Sequence, residues 1–114
     1  MSLTEEEIIN NSIVKVAIHG RIAGSIKIAA LNDFFKLHFS EGRNKFIIDL
    51  HETDFIGSGG LGVVVEKSKE SIDLGGEMVV CTLCDEMKEL FRITNLDKKI
   101  KIFDTVEDAK AFFS

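Results

Sequence analysis

Ser58 stands between Gly57 and Gly59 in the stretch "TDFIGSGGLGVVVEKS", Thr53 to Ser68, and that setting admits two phosphate chemistries. Gly57, Gly59 and Gly62 have the G-x-G-x-x-G spacing of a dinucleotide-binding loop, in which backbone N–H groups at a helix N-terminus approach a pyrophosphate. Alternatively, the serine itself is the acceptor, because flanking glycines leave its backbone pliable enough for a kinase to draw it in. A phosphate there adds about −1.5 to −2 charges at a helix N-terminus, where free N–H groups and the helix dipole tolerate it. The plainest structural alternative is that Ser58 caps the helix that follows.

The cofactor alternative needs the glycines directly after a strand. Here "HETDFI" intervenes between the strand-like "KFIIDL" and Gly57, making a loop where a tight turn is required. Gly60 and Gly62 do fall where a helix begins, and Asp85 lies at a tolerable distance for a ribose-binding acid. The chain of 114 residues is nevertheless too short for a cofactor half plus a substrate half, so no cofactor is expected. A hydrolase is also disfavoured: Ile56 occupies the first glycine position of a G-x-S-x-G elbow.

Other reactive side chains are weaker candidates. Cys81 and Cys84 form C-x-x-C ahead of a helix, but Cys81 belongs to the apolar run "MVVC" and reads as a core residue rather than a redox thiol. His19, His38 and His51 are scattered without ligand spacing, so no metal is expected. Asp49, Glu52 and Asp54 cluster before the serine loop and read as acids of a solvated strand end. Lys98, Lys99 and Lys101 flank Ile100 as the wet side of a strand.

These groups are positioned by alternating strand and helix patterns. "SIVKVAIHG" reads as a strand, and "SIKIAALNDFFKLHF" as a helix with Leu31, Phe34, Phe35 and His38 at helical spacing. "KFIIDL" and "EMVVCTL" are strands whose continuous apolar runs suit burial on both faces. Between them the spacing predicts a helix with Leu61, Val64, Val65, Ser68 and Ile72 on one stripe, stopped by Gly75-Gly76. "DEMKELFRITN" is helical through Met87, Leu90 and Phe91, "KIKIF" is a strand, and "TVEDAKAFF" is a helix capped by Thr105. "EEIINNSIV" folds back around Asn10-Asn11 as a hairpin. The sum is one α/β domain over 1–114, with a mixed sheet of four to five strands and crossover helices.

Bulk properties narrow the partners. A formal net charge of −5 argues against nucleic acid and against an anionic membrane surface. No apolar run approaches a spanning helix, and the acidic opening "MSLTEEEIINN" does not read as a signal peptide. Met1-Ser2-Leu3 is compatible with a cloning remnant. Two cysteines are too few for a secreted disulfide scaffold, so a reducing cytoplasm is the expected compartment.

"FIGSGGLGVVV", "GGEMVVC" and "MKELFRITNLDKKIKIFDTVEDA" together resemble a STAS domain, most closely the free-standing bacterial anti-sigma factor antagonists. Ser58-Gly59-Gly60-Leu61, continued by Gly62-Val63, matches the family's phosphoacceptor motif, and Phe91 to Lys98 matches its tail. The resemblance implies a non-enzymatic module that binds an anti-sigma factor with serine kinase activity. Phosphorylation of Ser58 would release that partner, and a metal-dependent phosphatase would restore binding. The implied docking surface comprises Gly20, Arg21, Ile22 and Ala23 with Gly57, Ser58, Gly59, Gly60, Leu61 and Gly62. Two departures stand out: Gly57 replaces the family's acid before the acceptor, and Arg21 and Ala23 replace acids in the earlier loop. Arg21 could serve instead as a counter-ion for a phosphoserine. The alternative is a STAS subunit that scaffolds a transport or stress-signalling complex without phosphorylation.

Overall fold

The computed structural model describes residues 4–114, so Met1 to Leu3, and with them any reading as a cloning remnant, lie outside it. The chain opens with a hairpin of β1 (Thr4–Ile9) and β2 (Ile13–Ile18), antiparallel and in the register Thr4 opposite Ile18. Asn10 and Asn11 both adopt positive φ, 54° and 62°, as a tight two-residue turn demands. From β2 the chain alternates: α1 (Ser25–Ser40), β3 (Lys45–Asp49), α2 (Ser58–Asp73), β4 (Glu77–Cys81), α3 (Asp85–Ile93), a 3-10 turn (Leu96–Lys98), β5 (Lys101–Phe103) and α4 (Val106–Phe112). The strands lie in sequence order, β2 to β5 parallel, which completes the expected mixed sheet with five strands.

Successive crossovers between neighbouring strands in sequence order place the connecting helices α1 to α3 on one face. That face takes the even-numbered side chains of the strands, Val14, Val16, Ile18, Phe46, Ile48, Met78 and Val80, against Leu31, Phe35, Val64, Met87 and Phe91 of α1 to α3. The odd-numbered Ile13, Ile47, Val79 and Cys81 face the other way and are covered by Ala109 of α4. The "FII" and "MVV" runs are therefore buried on both sides, as their continuous apolarity requires.

The helix ends follow their local chemistry. Gly75 takes φ +91° after the α2 C-cap Leu74, so a residue without Cβ stands where the left-handed turn needs one. Thr105 Oγ1 accepts from the Asp108 N–H at 3.0 Å and caps α4. Thr105→Ala should cost about 1 kcal/mol of stability, read as a lower denaturant midpoint at unchanged slope.

Two expectations need correction. The buried stripe of α2 is Gly60, Val64, Lys67, Ser68 and Ser71, while Ile72 is 51% exposed. The helix is rotated relative to the simple apolar stripe because it packs on β4 and α1 together. Lys67 can be buried because its long stem lies inside while Nζ reaches Glu66 and Glu70 at 3.3 and 3.4 Å. The lysine run is not one strand: Lys98 ends the 3-10 turn, Lys99 caps it, and only Lys101 lies in β5. All three lysines are exposed and Ile100 is buried, so the in–out division stands.

Candidate functional site

The β2–α1 loop and the β3–α2 loop are laced together at the C-terminal edge of the sheet. Gly20 N–H donates to the Glu52 carbonyl at 3.0 Å, and Ile22 N–H to Phe55 at 2.9 Å. Gly57 N–H donates to Ile22 at 2.9 Å, and Ile22 and Ile56 form a parallel bridge. Thr53, 1% exposed, anchors the second loop by donating its hydroxyl to the Ile18 carbonyl at 3.0 Å. The two loops therefore act as a short extension of the sheet, and Ser58 opens α2 directly above it.

Gly57 is the N-cap residue, with extended backbone, and Ser58 is the first residue of the helix. The capping role considered for Ser58 is thus not the one it occupies. No side-chain hydrogen bond caps α2, and Ser58 is exposed with no hydrogen bond to its hydroxyl among the described residues. Its hydroxyl is not consumed by the fold.

The glycines around it do different things. A Cβ on Gly60 would lie 2.9 Å from the Ile22 carbonyl oxygen, 2.7 Å from Ile22 Cγ2 and 2.9 Å from Ile56 Cγ2. Close approach of α2 to the Ile22–Ile56 bridge therefore requires glycine there. A Cβ on Gly59 would meet only the flexible end of Ile28, and one on Gly62 would meet open space. The glycine that packing requires, Gly60, is not one of the three in the G-x-G-x-x-G spacing, and residues 50–57 form a loop between β3 and α2 where a pyrophosphate site needs a tight turn. Asp85 is exposed in the first turn of α3.

The expected surface residues are brought together in most respects. Ile22 is buried beneath the site, Ala23 and Gly57 are half-buried and adjacent, and Gly59 and Gly62 are exposed with Ser58. A Cβ on Gly57 would stand 3.7 Å from Ala23 Cβ, so two of the three positions singled out as departures are spatial neighbours. Arg21 is exposed, with its guanidinium carbon 4.5 Å above the centroid of the Phe55 ring. Gly20 sits at the far end beside Lys27, whose ammonium donates to the His19 carbonyl. Phe55 and Lys27 border the surface and the buried Thr53 and Ile56 support it from beneath, roles that were not singled out from the sequence. The roles of Phe55, Ile56 and Thr53 rest on contacts between loops more than 30 residues apart, for which local spacing carries no signal.

The other candidate groups separate from this surface. Asp49 is 5% exposed at the end of β3 and accepts from the Thr82 hydroxyl, from His51 N–H at 3.1 Å and from His51 Nδ1 at 3.0 Å. Burial pushes its carboxyl up, but the bonds from Thr82 and His51 outweigh it and hold the group below the usual range. It is thus a buried structural acid, not the solvated strand end expected, whereas Glu52 and Asp54 are exposed. Its contribution to stability is full above the ordinary carboxyl value and is lost as pH falls through the depressed one. Asp49→Asn should be less stable by about 1 kcal/mol at pH 7. The gap should begin to narrow below about pH 4 and close only as the pH falls past the depressed value.

Cys81 is fully buried on the α4 face, and burial pushes its thiol up to about 11. Cys84 packs against the opposite cluster and its Sγ approaches the Thr53 carbonyl at 3.6 Å. A thiol held protonated on the far side of the sheet does not make a thioredoxin-like nucleophile. His38 is 2% exposed among Phe34 and Phe46, a packed core residue as its place on the α1 stripe suggests. No cluster of three or more His, Cys, Asp or Glu side chains suited to a metal occurs among the described residues. No helix there is long and apolar enough to cross a membrane.

With this geometry in hand, comparison with known proteins gives a consistent result. A family model described as the STAS domain matches residues 8–109. A protein of Thermotoga neapolitana, named provisionally as an anti-sigma factor antagonist, is 32% identical over 75 residues. That alignment spans 66% of each chain, just short of two thirds. A crystal structure from Thermotoga maritima, also described provisionally as an anti-sigma factor antagonist, superposes with TM-score 0.87 at 23% identity, covering 95% of this chain and 92% of that one. The Bacillus cell fate determinant SpoIIAA, in its phosphorylated form, gives TM-score 0.77 at 16% identity, covering 97% and 99%. At such identities the two structures speak for the fold.

Proposed function

The chain belongs to the STAS domain family, and from that premise we propose that it is an anti-sigma factor antagonist switched by phosphorylation of Ser58. It is a binding module, not an enzyme. Its partner is an anti-sigma factor that is also a serine kinase. Unmodified, the domain holds that factor and so frees a sigma factor for transcription; phosphorylated, it lets go. A metal-dependent phosphatase resets the switch. The setting is the cytoplasm, and neither nucleic acid nor membrane is bound directly.

The observation that carries this reading is Ser58 itself: exposed, first in its helix, with Gly57 taking the cap position and its own hydroxyl unengaged. A kinase can use that hydroxyl without breaking a bond the fold needs. The added charge lies at the positive end of a 16-residue helix. The laced loops beneath it hold the surface rigid, so new charge alters partner contact rather than the domain. Pull-down from the source cytoplasm with the unmodified chain should recover a kinase-like or sigma-regulating protein. Recovery of neither would count heavily against the switch.

One observation favours a second reading, a STAS scaffold that works without phosphorylation. Gly57 and Ala23 are adjacent, and Arg21 is exposed beside them, so a region where the family carries acids here presents a cation instead. A kinase with its bound metal-nucleotide would meet a different field. Neighbouring genes discriminate cheaply: a kinase and sigma factor beside this gene support the switch, transporter genes the scaffold.

A further inference from the structure

A shallow groove runs along α2 between Leu61 and Ile72, with the segment from Thr94 to Ile100 as its far wall. Leu96 and Ile100 are its floor, 3% and 2% exposed. Leu61 and Val65 are half-covered and Ile72 is 51% exposed, so an apolar side of α2 faces water where the simple stripe placed it in the core. From residue 61 to 72 the helix rises about 16 Å, the length of three turns of a second helix.

The rim is positive on an acidic chain. Lys69 and Lys99 line the groove, are exposed and have no ion pair among the described residues. The carboxylate at the other end, Glu66, lies 3.3 Å from Lys67 Nζ. Against a formal net charge of −5, two uncompensated cations beside an uncovered apolar stripe select the sign of what can settle there.

We propose that this groove docks an amphipathic helix of a partner protein, about three turns long, with acidic side chains beside its apolar stripe. Apolar contact with Leu61, Val65 and Ile72 holds the helix, and Lys69 and Lys99 fix its charge and direction. Leu61 and Gly62 belong both to the groove and to the Ser58 turn, so a docked helix would lead the rest of its protein onto the switch surface. The proposal rests on the binding-module reading but not on phosphorylation.

The test is selection of phage-displayed random peptides of about 16 residues on the immobilised chain. The expected winners carry apolar residues at i, i+3, i+4 and i+7 with an excess of Asp and Glu. As synthetic peptides they should bind about tenfold more weakly to Ile72→Asp and to the double variant Lys69→Glu, Lys99→Glu. Both variants change exposed side chains, and unchanged circular dichroism and melting confirm that they fold. Binding retained by Ser58→Asp would leave the groove proposal standing even if the switch fails. No enrichment, neutral or basic winners, or equal binding by the variants would overturn it. So would a concentration-dependent dimer abolished by Ile72→Asp, which would make a second copy the occupant.

Discussion

Gly60→Ala should destabilise the domain by about 1–3 kcal/mol, while Gly62→Ala, two residues along the same helix, should stabilise it by about 0.5–1 kcal/mol. The intrinsic preference is the same in both cases, since alanine loses less backbone entropy than glycine in a helix. Space decides the sign. At Gly60 the added methyl would meet the Ile22 carbonyl oxygen at 2.9 Å and two β-branched methyls at 2.7 and 2.9 Å, none of them on a freely moving end. At Gly62 it meets nothing within 4 Å. Gly59→Ala should fall between, because Ile28 Cδ1 at 2.7 Å is the tip of a flexible side chain. On a domain of this size each kcal/mol moves the melting temperature by about 4 °C, so the series is resolvable by calorimetry. The functional consequence is separate. Gly60→Ala must push α2 off the Ile22–Ile56 bridge, tilting Ser58 relative to the β2–α1 loop. Partner binding should then fall by more than the loss of folded protein explains. Equal melting of Gly60→Ala and Gly62→Ala would show that the close approach is not constraining.

The same glycines show what a sequence can and cannot convey. The strands β2, β3 and β4 were legible from short apolar runs, continuous in β3 and β4 because both of their faces are buried, and the Asn10-Asn11 turn and Gly75 because they carry their own backbone requirement. The candidate serine, Ser58, was legible as a residue type in a pliable setting. Its exact place in the helix was not, since Ser58 and Gly57 are both acceptable N-caps and only the backbone decides between them. The rotation of α2 was hidden for a related reason: a lysine with a long apolar stem can be buried as well as exposed, so Lys67 gave the stripe the wrong phase. Asp49 looked like one of three solvated acids because its partners, Thr82 and His51, are drawn in by the sheet and a loop. The Ile22–Ile56 bridge and the Arg21–Phe55 stack join segments distant in sequence, where periodicity is silent.

Ser58→Asp should leave the fold intact and weaken partner binding by roughly 1–3 kcal/mol, about five- to 150-fold. The fold tolerates the charge because Ser58 is the first helical residue, its side chain is exposed, and the unpaired N–H groups of the first turn favour an anion. The melting temperature should therefore stay level or rise by the equivalent of a few tenths of a kcal/mol. The partner loses fit and meets new negative charge at the start of α2, beside the exposed Arg21. Ser58→Ala should bind like the native chain, since no cap bond is lost, yet resist inactivation by kinase and ATP. A serine acting as a cap would give the reverse pattern, with alanine costing about 1 kcal/mol of stability and neither variant affecting binding. Intact-mass measurement after incubation with the cognate kinase and ATP should show one added phosphate that Ser58→Ala abolishes. Arg21 adds a quantitative expectation. Facing a phosphoserine it would favour the dianion, so Arg21→Gln should raise the second phosphate pKa seen by phosphorus NMR of the phosphorylated chain. A chain that stays unmodified with its own kinase would transfer the function to the scaffold reading, in which Gly57 and Ala23 mark the loss of the kinase contact.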